Sequence, residues 1–189
     1  MSEPVYIDLI KEFYLNLIFS DRVLRSAVKG VQIILNTPRL GRLLQIPCEG
    51  SCLDKLPKKK IGLRTILGRD NVEGFLKIEA MDLSVEMKLL HHMVSRIFFP
   101  RGGRYDLMTS KDICLMHHVI SETPLNLPFL MIDAMREALN RSKALLPYGM
   151  ALSVHFRESR VSFEGEIVCR LSNTDTYNDH FFQHMGFVE

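Results

Sequence analysis

The chain has no tryptophan, and no stretch approaches the roughly 18 uninterrupted apolar residues that a spanning helix requires. Even the richest apolar run, Leu127 to Leu139, is broken by Asp133, Arg136 and Glu137, so no membrane span is expected. An excess of one charge is also missing. The 24 Lys and Arg against 22 Asp and Glu leave a formal net charge of +2, too balanced for composition alone to indicate a nucleic-acid or membrane partner. Cysteine is sparse: Cys48, Cys52, Cys114 and Cys169 do not make a disulfide framework in 189 residues, which points to free thiols in a reducing compartment. The opening Met1-Ser2-Glu3-Pro4 carries no basic or apolar secretory region, and an intracellular protein, cytoplasmic or nuclear, is the expectation. Internal repeats and low-complexity segments are absent.

Catalytic spacings are lacking too. There is no Gly-x-Ser-x-Gly elbow and no Gly-x-x-x-x-Gly-Lys-Ser/Thr phosphate loop. The adjacent pairs His91-His92 and His117-His118 point to different sides of a helix, so neither pair clamps a metal alone. His180 and His184 stand at i, i+4, the spacing of a metalloprotease motif, but Phe181, Phe182 and Gln183 lie between them where that motif has a glutamate. Cys48 and Cys52 have no second ligand pair nearby. Surface or packed imidazoles explain these residues better than a metal does. No catalytic residue, metal, cofactor or small-molecule substrate is expected.

What is present is an ordinary globular composition, 47% hydrophobic and 24% charged, with ten methionines able to fill irregular gaps in a core. Val5, Leu9, Ile10, Phe13, Tyr14 and Leu17 recur at helical spacing. The β-branched residues around Gly30, from Ala27 to Leu35, suggest a hairpin. Asn36-Thr37-Pro38 reads as a capped helix start, with Pro47 as the stop. Leu83, Met87, Leu90, Val94 and Ile97 or Phe98 form a second helical stripe behind Asp82 or Ser84. Thr109 and Asp112 resemble a capping box that opens a helix with Ile113, Met116 and Ile120 on one side. Further helices are expected from Leu130 to near Lys143 and from Pro147 to about Phe156. The fold class is mainly α: one compact multi-helix domain over 1–189, with a small β-hairpin near residues 26–35. Residues 48–71 read as a loop-rich connection and 162–189 as a more polar C-terminal appendage.

Lys55, Lys58, Lys59, Lys60 and Arg64 form the one basic cluster, and lysines at such density favour phosphate binding through counterion release. Arg101 and Arg104 flank Gly102-Gly103 in a loop that presents guanidinium groups and backbone amides. Solvated loops explain both features better than binding does, and no aromatic is interleaved for base stacking.

Several stretches, in order, resemble the family known as the putative plant transposon protein domain, found in plant retrotransposon polyproteins and envelope-like proteins. They are Leu9 to Leu17, Val28-Lys29-Gly30 through Leu43-Leu44-Gln45-Ile46-Pro47, the Leu83-Ser84 helix ending in Phe99-Pro100, and Leu107-Met108-Thr109. Pro124-Leu125-Asn126-Leu127, Leu146-Pro147-Tyr148-Gly149-Met150, Asp175-Thr176-Tyr177-Asn178 and Met185-Gly186-Phe187 complete the set. The sequence departs from the pattern at Gln45, where glycine is usual, and at Arg101-Gly102-Gly103-Arg104, where the loop is commonly rich in Ser and Thr. The resemblance implies mobile-element ancestry and a helical fold with a small hairpin, and it supplies no catalytic residues. A non-enzymatic interaction domain, acting through a protein partner or self-association, is the leading expectation. A nucleic-acid-binding module using residues 55–64, with Arg101 and Arg104, is the alternative.

Overall fold

Leu9, Ile10, Phe13 and Tyr14 share one helical face, and in the computed structural model all four are buried along the first helix. The structure describes residues 4–52, 59–72, 78–100, 103–139, 146–170 and 181. It divides into two compact units, the first made of Met1–Cys48 with Leu127–Thr176 and the second of Glu49–Asn126 with Tyr177–Glu189. Residues 49–126 are thus an insertion in the chain of unit 1. Unit 1 holds β1 (Val5–Tyr6), α1 (Ile7–Leu15), β2 (Ile18–Ser20), β3 (Val23–Val28), β4 (Val31–Leu35), α2 (Thr37–Leu44), α6 (Leu127–Ala138), α7 (Gly149–Glu158) and β5 (Val168–Cys169). Unit 2 holds α3 (Lys59–Leu67), α4 (Val85–Met93), which runs on into a π-helical stretch Val94–Phe98, and α5 (Ser110–Ile120). The mainly helical expectation holds.

The expected hairpin is there as β3 and β4, in the register Leu24↔Leu35 to Val28↔Val31. Lys29 and Gly30 both take positive φ, 48° and 76°, as a two-residue hairpin turn of matching twist requires. Sequence alone did not indicate β2, which extends the hairpin to a three-stranded antiparallel sheet in the order β2-β3-β4. Leu24, Val28, Ile33 and Leu35 point inward and are fully buried, while Arg25, Gln32 and Ile34 alternate outward. Helix α1 lies over the inner face, where Phe13 and Phe156 place their rings 5.8 Å apart in the unit 1 core. The hydroxyl of buried Tyr14 donates to the Pro147 carbonyl at 3.0 Å, and desolvation raises its pKa far above the usual phenol value.

Asn36 caps α2 as the sequence suggests, its Oδ1 accepting from the Arg39 amide at 3.0 Å. At the other end Gln45 adopts the left-handed conformation, φ 56° and ψ 41°, and Ile46 N–H returns to the Gly41 carbonyl. Two short strands, β1 and β5, pair antiparallel with Tyr6 opposite Val168. The turn at Lys29 is tied to the segment before β5 by a 2.6 Å ion pair with Glu166.

Unit 2 corrects one expectation. Residues 48–71 read as a loop-rich connection, yet α3 forms inside them because Leu63 and Ile66 pack inward and Gly62 lets the helix approach α5. A Cβ at Gly62 would stand 2.6 Å from Ile113 Cγ2. Ser84 rather than Asp82 caps α4, accepting from the Met87 amide. Thr109 and Asp112 form the full capping box of α5, through Asp112 N to Thr109 Oγ1 at 3.2 Å and Thr109 N to Asp112 Oδ2 at 2.7 Å. The entry and exit of the insertion are paired: Ser51 N–H donates to the Pro124 carbonyl and Asn126 N–H to the Ser51 carbonyl.

Candidate functional site

The chemistry-bearing side chains of unit 2 lie mostly inside it. His91 on α4 and Asp112 on α5 are 2% and 0% exposed, with Nε2 and Oδ2 3.6 Å apart. That is too long for a hydrogen bond, and Oδ2 already accepts the Thr109 amide. His91 Nε2 has no hydrogen-bond partner among the described residues. Two residues further along α5, the Cys114 sulfur lies 3.6 Å from His118 Nδ1. The same Nδ1 sits 2.7 Å from the Cys114 carbonyl, which can only accept, so this nitrogen carries the hydrogen and cannot take the thiol proton. Burial pushes the Cys114 thiol up to about 11, which removes the thiolate a nucleophile or a metal site needs. His117 is only partly buried and shares a 2.8 Å hydrogen bond with Thr65 of α3; desolvation and then the neighbouring His118 lower its pKa. The His92 ring centre lies 4.9 Å from that of Phe181, the two planes tilted by 59°, and burial, Arg96 and His91 lower its pKa in that order. Among the described residues no three His, Cys, Asp or Glu converge on a metal position. His180 and His184 lie outside the described residues.

Of the basic candidates, Lys55, Lys58 and Arg101 also lie outside the described residues. Lys59, Lys60 and Arg64 are exposed on α3. The lysines occupy its first turn, which holds no acidic residue of its own, at the positive end of the helix dipole. The structure turns Arg64 back on its own chain, its Nε donating to the Asp70 carbonyl at 2.9 Å. Arg104 stands 3.7 Å from exposed Asp106. The structure therefore joins three of these bases on one short helix and gives a fourth a carboxylate neighbour.

The exposed apolar side chains are a different matter. In unit 1, Leu15 is 85% exposed, Ile18 66% and Ile167 78%, with Ile7 and Val168 close to half. Sequence reasoning passed over them, although Leu15 gave a signal. It lies off the stripe of Leu9, Ile10, Phe13, Tyr14 and Leu17, so an apolar residue stood on the solvent face of the expected helix. No helix among the described residues is long and apolar enough to cross a membrane.

The model of one family, described as "Putative plant retrotransposon-related domain", matches residues 1–162. The chain belongs to this family. The match takes in unit 2 up to Asn126 and most of unit 1, and stops just before the polar segment that carries Glu164, Glu166, Ile167 and β5. No curated protein and no solved structure matches the chain. Gln45, at the end of α2, occupies a left-handed position that glycine adopts without strain.

Proposed function

We propose that this retrotransposon-related domain is a non-enzymatic interaction module working through contacts with protein. The observation that carries this reading is the exposure of large apolar side chains on unit 1, Leu15 and Ile167 above all, while the Cys114, His118, His91 and Asp112 groups are withdrawn from solvent. Large apolar side chains left in water in one region are the usual mark of an interaction surface. Affinity capture from plant tissue tests it, with the wild-type chain set against Leu15→Glu and Ile167→Glu. A defined set of proteins retained by the wild type and lost from both variants is expected. Identical capture by all three would remove the reading.

The nucleic-acid alternative rests on Lys59, Lys60 and Arg64 sharing α3. Lysines set against the helix dipole are the feature that favours it. A gel-shift titration at two salt concentrations decides: phosphate binding weakens steeply as salt rises, and absent or salt-insensitive binding ends the idea.

A further inference from the structure

Ile34, Leu139 and Leu146 are exposed elsewhere on unit 1, but the most exposed apolar side chains on it follow α1 and its flanks. Ile7, Lys11 and Leu15 follow one another at intervals of four and so form a single ridge along the outer side of α1. Its ends are apolar, Ile7 at 45% and Leu15 at 85% exposure, and lie about 12 Å apart at the helical rise. Each end is reinforced from outside the helix. Ile18, just beyond Leu15, is exposed on edge strand β2. Continuing the β1–β5 register one step past Tyr6↔Val168 sets Ile167 opposite Ile7. Between the ends lies an exposed ion pair, Lys11 Nζ to Asp8 Oδ1 at 2.9 Å.

From this pattern we infer that the outer ridge of α1 is a self-association surface whose occupant is the same ridge of a second copy, related by a twofold axis passing close to Lys11. The pattern is self-complementary under that operation. Reversing the ridge places the Ile7 and Ile167 end of one copy on the Leu15 and Ile18 end of the other, twice over. At the centre the Asp8–Lys11 pair of each copy runs opposite to its mate, and two acids and two bases close a quartet with no net charge. Isologous contacts of this kind are the commonest in homo-oligomers, and ridges spaced by four residues interlock in the commonest class of helix packing. An unrelated partner would need its own apolar-ionic-apolar ridge; a second copy already has one. This inference rests on the interaction reading above and names its partner.

Sedimentation velocity on the full chain is the test, at about 100 μM, where an association of micromolar strength is nearly saturated. The wild type should sediment as a dimer. Leu15→Glu should weaken dimerisation at least tenfold, and Ile7→Lys likewise, with circular dichroism unchanged because both side chains are substantially exposed. Mixing the two variants should restore a heterodimer, since the carboxylate introduced in one copy then meets the ammonium group introduced in the other, while the second contact keeps its native Ile7 and Leu15. Ile167→Lys replaces Ile7→Lys if the latter disturbs the start of the helix. A monomeric wild type overturns the pairing, as do variants that dimerise like the wild type, or a mixture that stays monomeric. If the wild type is monomeric but still captures proteins that Leu15→Glu loses, this pairing fails and the interaction reading stands.

Discussion

Single residues show where this chain carries strain and where it buries a titratable group. Gln45 closes α2 at φ 56°, a conformation that a side chain with a Cβ adopts reluctantly and glycine adopts freely. Gln45→Gly relieves that strain but also loosens the unfolded chain; the first effect is the larger at a helix end, so stability should rise by about 0.5–1 kcal/mol. Urea denaturation followed by tyrosine fluorescence reads this directly, and an unchanged or lowered midpoint would show that Gln45 makes compensating contacts. His155 poses the opposite problem. It is fully buried on α7, its Nε2 donating to the Ile34 carbonyl at 3.2 Å while Nδ1 has no partner among the described residues. Desolvation and then the Arg39 charge bring its pKa down to about 4, only partly opposed by the bond to Ile34. With the folded pKa below the unfolded one, the unfolded chain binds the extra proton. Stability is therefore full above pH ~6.5 and falls as pH drops towards 4, by on the order of 3 kcal/mol in all. His155→Gln keeps a donor for Ile34 and removes the titration, so its stability should fall less steeply across that window than the wild type's, while the carboxylates, His92 and His117 act equally in both proteins. Equal slopes for the two proteins would exclude His155 as the source.

At the scale of elements, the close packing of α3 on α5 depends on a residue without a side chain. Alanine in place of a mid-helix glycine ordinarily stabilises by about 0.5–1 kcal/mol through propensity. At Gly62 the sign should reverse, because the added Cβ meets Ile113 Cγ2 at 2.6 Å in a site where Ile113 is buried. Overpacking of this kind costs about 1–3 kcal/mol, and hydrogen exchange should show α3 amides losing protection in Gly62→Ala. In the double variant with Ile113→Ala the two effects should be less than additive, since the colliding methyl has gone. The same elements show why some structure was legible in the sequence and some was not. Asn36, Ser84 and the Thr109–Asp112 box announced their helices because a cap is a local event, one side chain bonding an amide three residues on. Strand β2 gave no such signal: it joins β3 through Asp21 and Arg22, both at positive φ, a turn made without glycine or asparagine. The stripe after Ser84 left its last position open. It leaves Ile97 or Phe98 as the last inward position, and the π-helical stretch, with Phe99 N–H reaching back to the Val94 carbonyl, shifts the phase so that Ile97 is 44% exposed while Phe98 is half-buried.

For the molecule as a whole, periodicity showed that the chain packs a helical core, and it could not show how that core is apportioned. An inserted unit leaves no mark on spacing; what records it is a pairing between Ser51 and Leu125, far apart in sequence, which sets entry and exit side by side. The candidate site was hidden for a related reason. A ridge such as Ile7-Lys11-Leu15 counts as exposed only once Leu9, Ile10, Phe13 and Tyr14 have claimed the other face of α1. The insertion itself yields a prediction. The core that includes Phe13, Leu24, Ile33, Leu40, Met135, Leu152 and Phe156 is drawn entirely from residues before Cys48 and after Leu127. Excising 49–126 therefore removes no member of it, and because the two ends of the insertion are neighbours, a Gly/Ser linker of about four residues should span the gap at a small entropic cost. The shortened chain should unfold cooperatively, with the phenol of Tyr14 still failing to ionise at a pH where a free tyrosine does, since its burial and its bond to Pro147 belong to unit 1. Ultraviolet titration of the tyrosines alongside a thermal melt measures both properties. A broad, non-cooperative melt with Tyr14 ionising normally would mean that unit 1 takes its order from the insertion and that the two folding units are one.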